Sequence, residues 1–360
     1  MRTAMVVGTG LVGTSLAMAL VRRGVTVHLR DRSATAAGVA AGLGAGVLEP
    51  PEGPVDVAVV AVPPAAVGAV VGELQRGGTA RAYTDVASVK AHPQYDVEAF
   101  ADAGSFIGGH PLAGGARSGP LGANGSLFEG RPWVLAPSEA TSRATLNTAL
   151  ELVSVCGAVP VVMDADRHDK AVALMSHAPH VVAAVMAARL EGAPSDATRL
   201  AGQGIRDVTR IAASDPVLWE EILTGNSTAV ADVLEAAAAD LTTAVEALRS
   251  LGAADEEKRA EGSRALTGVL RRGNSGHACL PVKHGAVPAV FGEVEIGVAD
   301  EPGELAGIFS AVGRLGVNVE DMTIEHATAT RSGLLRLLVD RGEVRRVAER
   351  LTEEGWPVRD

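Results

Sequence analysis

Cysteine is nearly absent. Cys156 and Cys279 are the only two in 360 residues, too few and too far apart for a disulfide framework or a cysteine zinc site. Aromatic residues make up 3%, and only four of the 32 basic residues are lysine, a compositional bias that carries no functional reading. Positive charge is in deficit: 32 Lys and Arg against 43 Asp and Glu give a formal net charge of −11. That argues against a sequence-independent grip on nucleic acid, which needs a basic surface to release phosphate counterions, although a local basic pocket for a small anion is still allowed. No stretch of about 18 uninterrupted apolar residues occurs, and Met1 runs straight into a strand-like segment without the apolar core and cleavage site of a signal peptide. The expectation is a cytoplasmic protein with no membrane and no nucleic-acid partner. At 47% hydrophobic and 21% charged the chain is ordinary globular material, long enough for two or three domains.

From Ala4 to Val162 short β-branched runs alternate with helical ones, the pattern of a parallel sheet covered by helices on both faces. Strands are expected at Ala4 to Val7, Val25 to Leu29, Val55 to Val62, Ala82 to Asp85, Phe106 to Gly108, Trp133 to Ala136 and Val159 to Met163. The fold class that follows is α/β, a Rossmann-type doubly wound parallel sheet over residues 1–164. From His168 to Leu190 and from Asn226 to Leu251 apolar residues recur every three or four positions. The second of these helices, about 25 residues and about 37 Å long, has Asn226 or Ser227 as an N-cap and Gly252 as a stop. Its length suits an all-helical substrate and dimerisation domain over residues 165–270, and hence a homodimer. Residues 271–287, rich in Gly, Pro and basic groups, read as a linker. Residues 288–360 then give the order βαββαβ, a small split-βαβ domain.

Gly8-Thr9-Gly10-Leu11-Val12-Gly13 follows a strand and opens a helix. Gly8 permits the tight turn, Gly10 lets the backbone approach a pyrophosphate, and Gly13 lets the helix pack on the strand, with the N–H groups of Leu11 and Val12 at the helix start. Asp31 ends the second strand 18 residues past Gly13, where a carboxylate can bond ribose hydroxyls. A dinucleotide is the expected cofactor. Asp31 would repel a 2′-phosphate and favours NAD, while Arg30 and Arg32 beside it leave NADP possible.

Three further segments carry chemistry. Asp85-Val-Ala-Ser-Val-Lys90 leaves a strand at the carboxyl end of the sheet, where doubly wound folds place ligands. Gly108-Gly-His-Pro-Leu-Ala-Gly-Gly115 sets His110 among glycines in what reads as a turn. Asp164-Ala-Asp-Arg-His-Asp169 continues to Ser176-His-Ala-Pro-His180, where His177 and His180 share a helix face and Pro179 predicts a kink or break. No third ligand stands in a recognisable spacing, so no metal is expected. Downstream, Gly204 to Trp219 puts Asp207 and Arg210 on one helix face, which by itself reads equally as a surface ion pair worth less than about 1 kcal/mol.

Taken in order, GTGLVG, DVASVK, GGHPLAGGARSG, DADRHDKAVALMSHAPH and RDVTRIAASDPVLW resemble the prephenate and arogenate dehydrogenases of tyrosine biosynthesis, over residues 4 to about 260. The resemblance implies removal of a hydride from C4 of prephenate to NAD while CO₂ leaves and the ring becomes aromatic, giving 4-hydroxyphenylpyruvate. It assigns His110 as the group that accepts the 4-hydroxyl proton. Ser88 would bond the same hydroxyl and help orient His110, and Arg210 would bind a substrate carboxylate through its planar fork. Asp207 and Trp219 match supporting positions, and His177 and His180 match histidines lining the pocket. Ala116 stands where a number of relatives have Glu, which bears on how the side-chain end of the substrate is recognised and on prephenate against arogenate.

Residues 288–360 resemble an ACT domain through Val294 to Val298, Asp300-Glu-Pro-Gly-Glu-Leu305 and Gly316-Val-Asn-Val-Glu320. The turn at Asp300, Gly303 and Glu304, faced by Asn318, is the expected place for an amino-acid effector, with L-tyrosine the first candidate. Two alternatives remain at this point: an arogenate dehydrogenase, or an inactive regulator that binds NAD and an amino acid. A β-hydroxyacid dehydrogenase or imine reductase on the same architecture is disfavoured, because the long helix offers histidines in place of a catalytic Lys or Asp.

Overall fold

The computed structural model describes residues 1–115, 117–280, 291–326 and 332–359, so Ala116 lies outside the described residues. It divides into two compact units, Met1–Ala237 and Ala238–Asp360.

The first unit is built on β1 (Thr3–Val7), β2 (Thr26–Arg30), β3 (Val55–Val60), β4 (Ala80–Asp85), β5 (Phe106–Pro111), β6 (Pro132–Ala136) and β7 (Val159–Val162), in the spatial order β2-β1-β3-β4-β5-β6-β7. Helices α1 (Leu11–Val21), α2 (Ala34–Gly42), α3 (Val67–Arg76), α4 (Ala91–Phe100) and α5 (Arg143–Val155) connect the strands. Neighbouring strands run parallel except β5 and β6, which are antiparallel. The expectation of a wholly parallel sheet fails at this pair for a simple reason. A parallel return needs a crossover helix, and between β5 and β6 the described residues hold only a three-residue 3₁₀ turn, Pro120–Gly122.

Period-two alternation sends β1 to both faces. Ala4 and Val6 join Leu16, Leu20, Trp133 and Leu152 on one side; Met5 and Val7 join Val60, Val71, Leu74 and Tyr83 on the other. Both faces are therefore dry, as the Val-rich strands require. At the end of β1, Gly8 has φ +101°, and a side chain there would run into the carbonyl oxygen of Ala61. One at Gly13 would run into the carbonyl oxygen of Gly8, whereas Gly10 has open space where a Cβ would stand.

After β7 the same unit continues with α6 (Ala165–Val172), a π turn over Ala173–His177, and α7 (Ala178–Ala188). The break expected at Pro179 is this π turn: the Ala178 N–H reaches back five residues to the Ala173 carbonyl. The wider turn accommodates a proline ring that would meet the carbonyl four residues back in a regular α-helix. Then come α8 (Ser195–Thr198), α9 (Gln203–Ala212), α10 (Pro216–Gly225) and α11 (Ser227–Leu251), the last running into the second unit. Asn226 occupies the cap position, its carbonyl accepting the Val230 N–H at 3.1 Å, but its side chain is used elsewhere. The helix stops before Gly252 as expected.

In the second unit α12 (Glu256–His277) packs on the end of α11, where a side chain at Gly262 would come within 2.7 Å of the Ala247 carbonyl oxygen. This helix corrects the expected linker: residues 271–277 are helical, with their N–H groups inside the ladder, and 281–290 lie outside the described residues. The order β8 (Phe291–Ala299), α13 (Glu304–Arg314), β9 (Asp321–His326), β10 (Ser332–Asp340), α14 (Val344–Glu353), β11 (Val358–Arg359) is the expected βαββαβ. Its antiparallel sheet, β11-β8-β10-β9, pairs Val294 with Leu337 and Ile296 with Leu335 over a core with Ile308, Val312, Val347 and Leu351.

The glycine geometry separates folding from binding. Gly13→Ala should lose about 1 to 3 kcal/mol of stability through overpacking, read as a lowered denaturation midpoint. Gly10→Ala should leave the midpoint unchanged, since its Cβ enters open space.

Candidate active site

The carboxyl ends of β1, β3, β4 and β5 form one edge of the sheet, and the candidate residues gather there. At the nucleotide end, α1 starts at Gly10 without a side-chain cap and with no acidic residue in its first turn, so its free N–H groups suit an anion. A cavity of about 420 Å³ opens beside it, lined by Gly8, Gly10, Arg30, Asp31, Arg32 and Glu73 among others. Asp31 accepts the Thr9 N–H at 2.6 Å, the Thr9 hydroxyl at 2.8 Å and the Ser33 N–H at 2.8 Å. Burial works to raise its pKa, but these hydrogen bonds and the nearby Arg32 hold the carboxyl below its ordinary value. Arg30 is drawn off by Glu73 at 2.5 Å, leaving Arg32 as the arginine of the cavity without an ion pair among the described residues.

His110 is not in a turn. It lies in β5, paired with Val134 of β6, and the two glycines before it serve close packing: a Cβ at Gly109 would stand 2.5 Å from the Asp85 carbonyl oxygen, and one at Gly108 would stand 3.1 Å from Cδ of Lys90. Asp85 and Lys90 form a fully buried ion pair. Asp85 also accepts the Gly109 N–H at 2.8 Å, and Lys90 Nζ donates to the Gly109 carbonyl at 2.7 Å. The backbone just before His110 is thus held on both its polar groups. Removing one charge of such a pair strands the other, typically at about 3 to 5 kcal/mol.

The ring of His110 is held from the far side. Its Nδ1 lies 2.8 Å from Nε2 of His168, and Nδ1 of His168 lies 2.7 Å from Asp169. Asp169 in turn accepts the backbone N–H groups of Lys90 and Ala91 at 2.8 and 2.9 Å. The Asn226 side chain donates to the Asp169 carbonyl at 2.7 Å and approaches Nδ1 of His177 at 3.2 Å. His180 stacks on Trp219 at 3.5 Å with 5° between the rings, and His177 meets the same indole edge-on. The π turn makes this assembly possible. His168 and His177 are nine residues apart, about 180° around a regular helix. Absorbing one extra residue leaves about 80°, which brings both to one side.

Ser88 is half-buried in the loop between β4 and α4, and its side chain has no hydrogen bond among the described residues. His177, His180 and Trp219 are together. Arg210 and Asp207 are not joined to them by any hydrogen bond among the described residues: both are exposed on α9, and Asp207 accepts the Gln203 amide at 3.0 Å instead of pairing with Arg210. The sequence reading missed Lys90, His168, Asp169 and Asn226 as parts of the site. In the second unit Gly303, at φ +95°, is the N-cap of α13; Glu304 accepts the Trp356 indole N–H at 3.1 Å, and Asn318 donates to Glu320 at 2.5 Å.

Residues 16–162 match the family described as prephenate dehydrogenase, nucleotide-binding domain, and residues 164–261 match prephenate dehydrogenase, dimerization domain. The chain belongs to the prephenate dehydrogenase family. Among its relatives, probable prephenate dehydrogenase NovF of Streptomyces niveus is 38% identical over 99% of both chains. The prephenate dehydrogenase of Bacillus subtilis is 27% identical over 98% of this chain and 95% of its own. The Aquifex aeolicus prephenate dehydrogenase solved with hydroxyphenyl propionate and NAD⁺ superposes with a TM-score of 0.66 at 26% identity, over 77% of this chain and 97% of that one. The Synechocystis arogenate dehydrogenase gives 0.63 at 27% identity over 77% and 99%.

The run from Ala165 to Ala188 has the length and mean hydropathy, 1.6, of a membrane span, yet His168, Asp169, His177 and His180 along it are buried and engaged in the site. Burial pushes the His110 imidazole well below the ordinary 6.5, with His168, Lys90 and His177 adding in the same direction. Burial likewise brings His177 down to about 4, against the pull of Asp169. Both rings are therefore neutral near pH 7 and take protons in the unfolded chain first. Stability from this source is complete above about 6.5 and is lost as pH falls toward about 4. A proton NMR titration should find His177 neutral down to about 4 and His110 neutral well below 6.5, and the denaturation midpoint should fall over the same window.

Proposed function

We propose that this chain catalyses the NAD-dependent oxidative decarboxylation of prephenate to 4-hydroxyphenylpyruvate. The observation that carries the reading is His110: a neutral imidazole at the carboxyl edge of a nucleotide-binding sheet, in a chain of this family, with no partner for Nε2 among the described residues. Gly8, Gly10 and Gly13 with Leu11 and Val12 would seat the pyrophosphate, and Asp31 the ribose. NAD supplies the hydride acceptor. NAD is favoured over NADP because Asp31 opposes a 2′-phosphate and Glu73 occupies Arg30, leaving Arg32 as the one nearby arginine to receive it.

His110 takes the 4-hydroxyl proton as the carbonyl develops, which needs the neutral ring that burial provides. Ser88, with a free hydroxyl, bonds the same oxygen. Arg210 binds a substrate carboxylate, with Asp207 beside it on α9, and the stacked His180 and Trp219 wall the pocket with His177. Exposed apolar residues on the 165–188 helix and α11, among them Met175, Val185, Leu241 and Leu248, are faces that a second copy of the chain would cover, which supports a homodimer. Arogenate is the competing substrate; the arogenate dehydrogenase among the structural relatives supports keeping it in the comparison.

The deciding experiment measures NADH or NADPH formation from prephenate and arogenate with each cofactor. Prephenate with NAD should give the highest kcat/KM, and no turnover in any combination would leave a binding protein. His110→Ala should lower kcat by about 10² to 10⁴ with KM little changed. Arg210→Ala should appear mainly in KM, at about 2 to 5 kcal/mol of lost binding.

Residues 288–360 are read as an ACT-like regulatory domain for L-tyrosine, received at the Gly303 turn with Asp300, Glu304 and Asn318. Calorimetry should detect tyrosine binding, and tyrosine should weaken substrate binding by about 5- to 150-fold. No binding at millimolar tyrosine would make the domain structural or assign it to another amino acid.

A further inference from the structure

The hydrogen bonds behind His110 determine where its protons sit. Asp169 receives the backbone N–H groups of Lys90 and Ala91, donors that fix it as an acceptor. The 2.7 Å contact to Nδ1 of His168 therefore needs the proton on that nitrogen. In a neutral ring this leaves Nε2 of His168 as a lone pair. The 2.8 Å contact to Nδ1 of His110 then needs the proton on His110 Nδ1, and His110 Nε2 is left as the acceptor. His168 and Asp169 are almost wholly buried, so solvent does not scramble the order. A carboxylate on one helix thus selects the tautomer of a ring on a strand 59 residues earlier, through one intervening imidazole.

We propose that His168 and Asp169 are positioning residues for the reaction: they hold His110 as its Nδ1–H tautomer and share the charge it acquires. The inference rests on His110 being the proton acceptor. When Nε2 of His110 takes the substrate hydroxyl proton, the ring carries two protons and one positive charge. The Nδ1 proton can shift along the existing bond to Nε2 of His168, which places that charge beside Asp169 instead of in the neighbourhood of buried Lys90. No atom is gained or lost in the shift, and the proton returns by the same path when product leaves. Asn226, through the Asp169 carbonyl and His177, keeps the far end of the chain in place.

The test uses the intact protein labelled with ¹⁵N at histidine. Near neutral pH and without substrate, His110 should show a protonated Nδ1 and an unprotonated Nε2. His168→Leu removes the acceptor: His110 should shift toward the Nε2–H form, and kcat should fall about tenfold to a hundredfold with both KM values within about twofold. His168→Gln can offer an amide oxygen near the same position and should restore the tautomer and part of kcat; it also serves as the readout if the Leu variant fails to fold. A wild-type His110 protonated at Nε2 would overturn the proposal. So would a kcat for His168→Leu within about threefold of wild type, or equal losses in the Leu and Gln variants carried in KM. The nitrogen shifts need no substrate. If prephenate is not turned over yet the shifts are as stated, the functional reading fails and the tautomer assignment stands.

Discussion

Two opposite charges taken wholly out of water are costly to bury, and their mutual attraction offsets the cost only when every remaining donor and acceptor finds a partner. Asp85 and Lys90 meet that condition by spending their spare hydrogen bonds on backbone. Asp85 takes the Ala87 and Gly109 N–H groups, and Lys90 gives to the Gly109 carbonyl while its own N–H goes to Asp169. The end of β4, the strand carrying His110 and the helix carrying His168 are therefore fastened at one point. The glycines at 108 and 109 follow from it, since the ion pair and the β4 backbone lie where their side chains would be. A mutation in this pair would loosen the ring of His110 before it touched any substrate.

The nucleotide side uses a different economy. Asp31 is not a free carboxylate waiting for ribose; it already braces Thr9, a fully buried residue inside the glycine loop. The same group that would read the cofactor also holds the turn that would seat its phosphates. Such pre-organisation lowers the ordering cost that binding must meet.

What could be read from the sequence was whatever depends on neighbours in sequence. Gly8, Gly10, Gly13 and Asp31 were legible because a strand, a tight turn and a helix start are local, and the strand positions were legible because burial on both faces forces a Val-rich run. His110 was placed correctly along the chain but wrongly in a turn. Glycines next to a histidine look like a loop until the pairing of β5 with β6 is known, and that pairing is non-local. His168 and Asp169 stood in plain view inside a noted motif, yet only the approach of α6 to Lys90 gives them a role. Of the two cap candidates, Asn226 and Ser227, it is the Asn226 carbonyl that accepts the Val230 N–H, while its amide serves the site. Residues 271–277 looked like linker because Gly273 and Gly276 weaken helix propensity, and the preceding turns of α12 carry the helix through them.

The π turn and Pro179 constrain each other. Delete one residue from the turn and the helix closes to α geometry, setting the proline ring against the carbonyl of Met175 at a cost of about 3 kcal/mol. Replace the proline alone and the wide turn can persist, still setting His168 and His177 to one side. Both changes together would return an uninterrupted helix that still presents the same histidines to one side. The two positions are therefore coupled in one direction: the proline needs the wide turn, whereas the turn, which also sets the register of the histidines, does not need the proline.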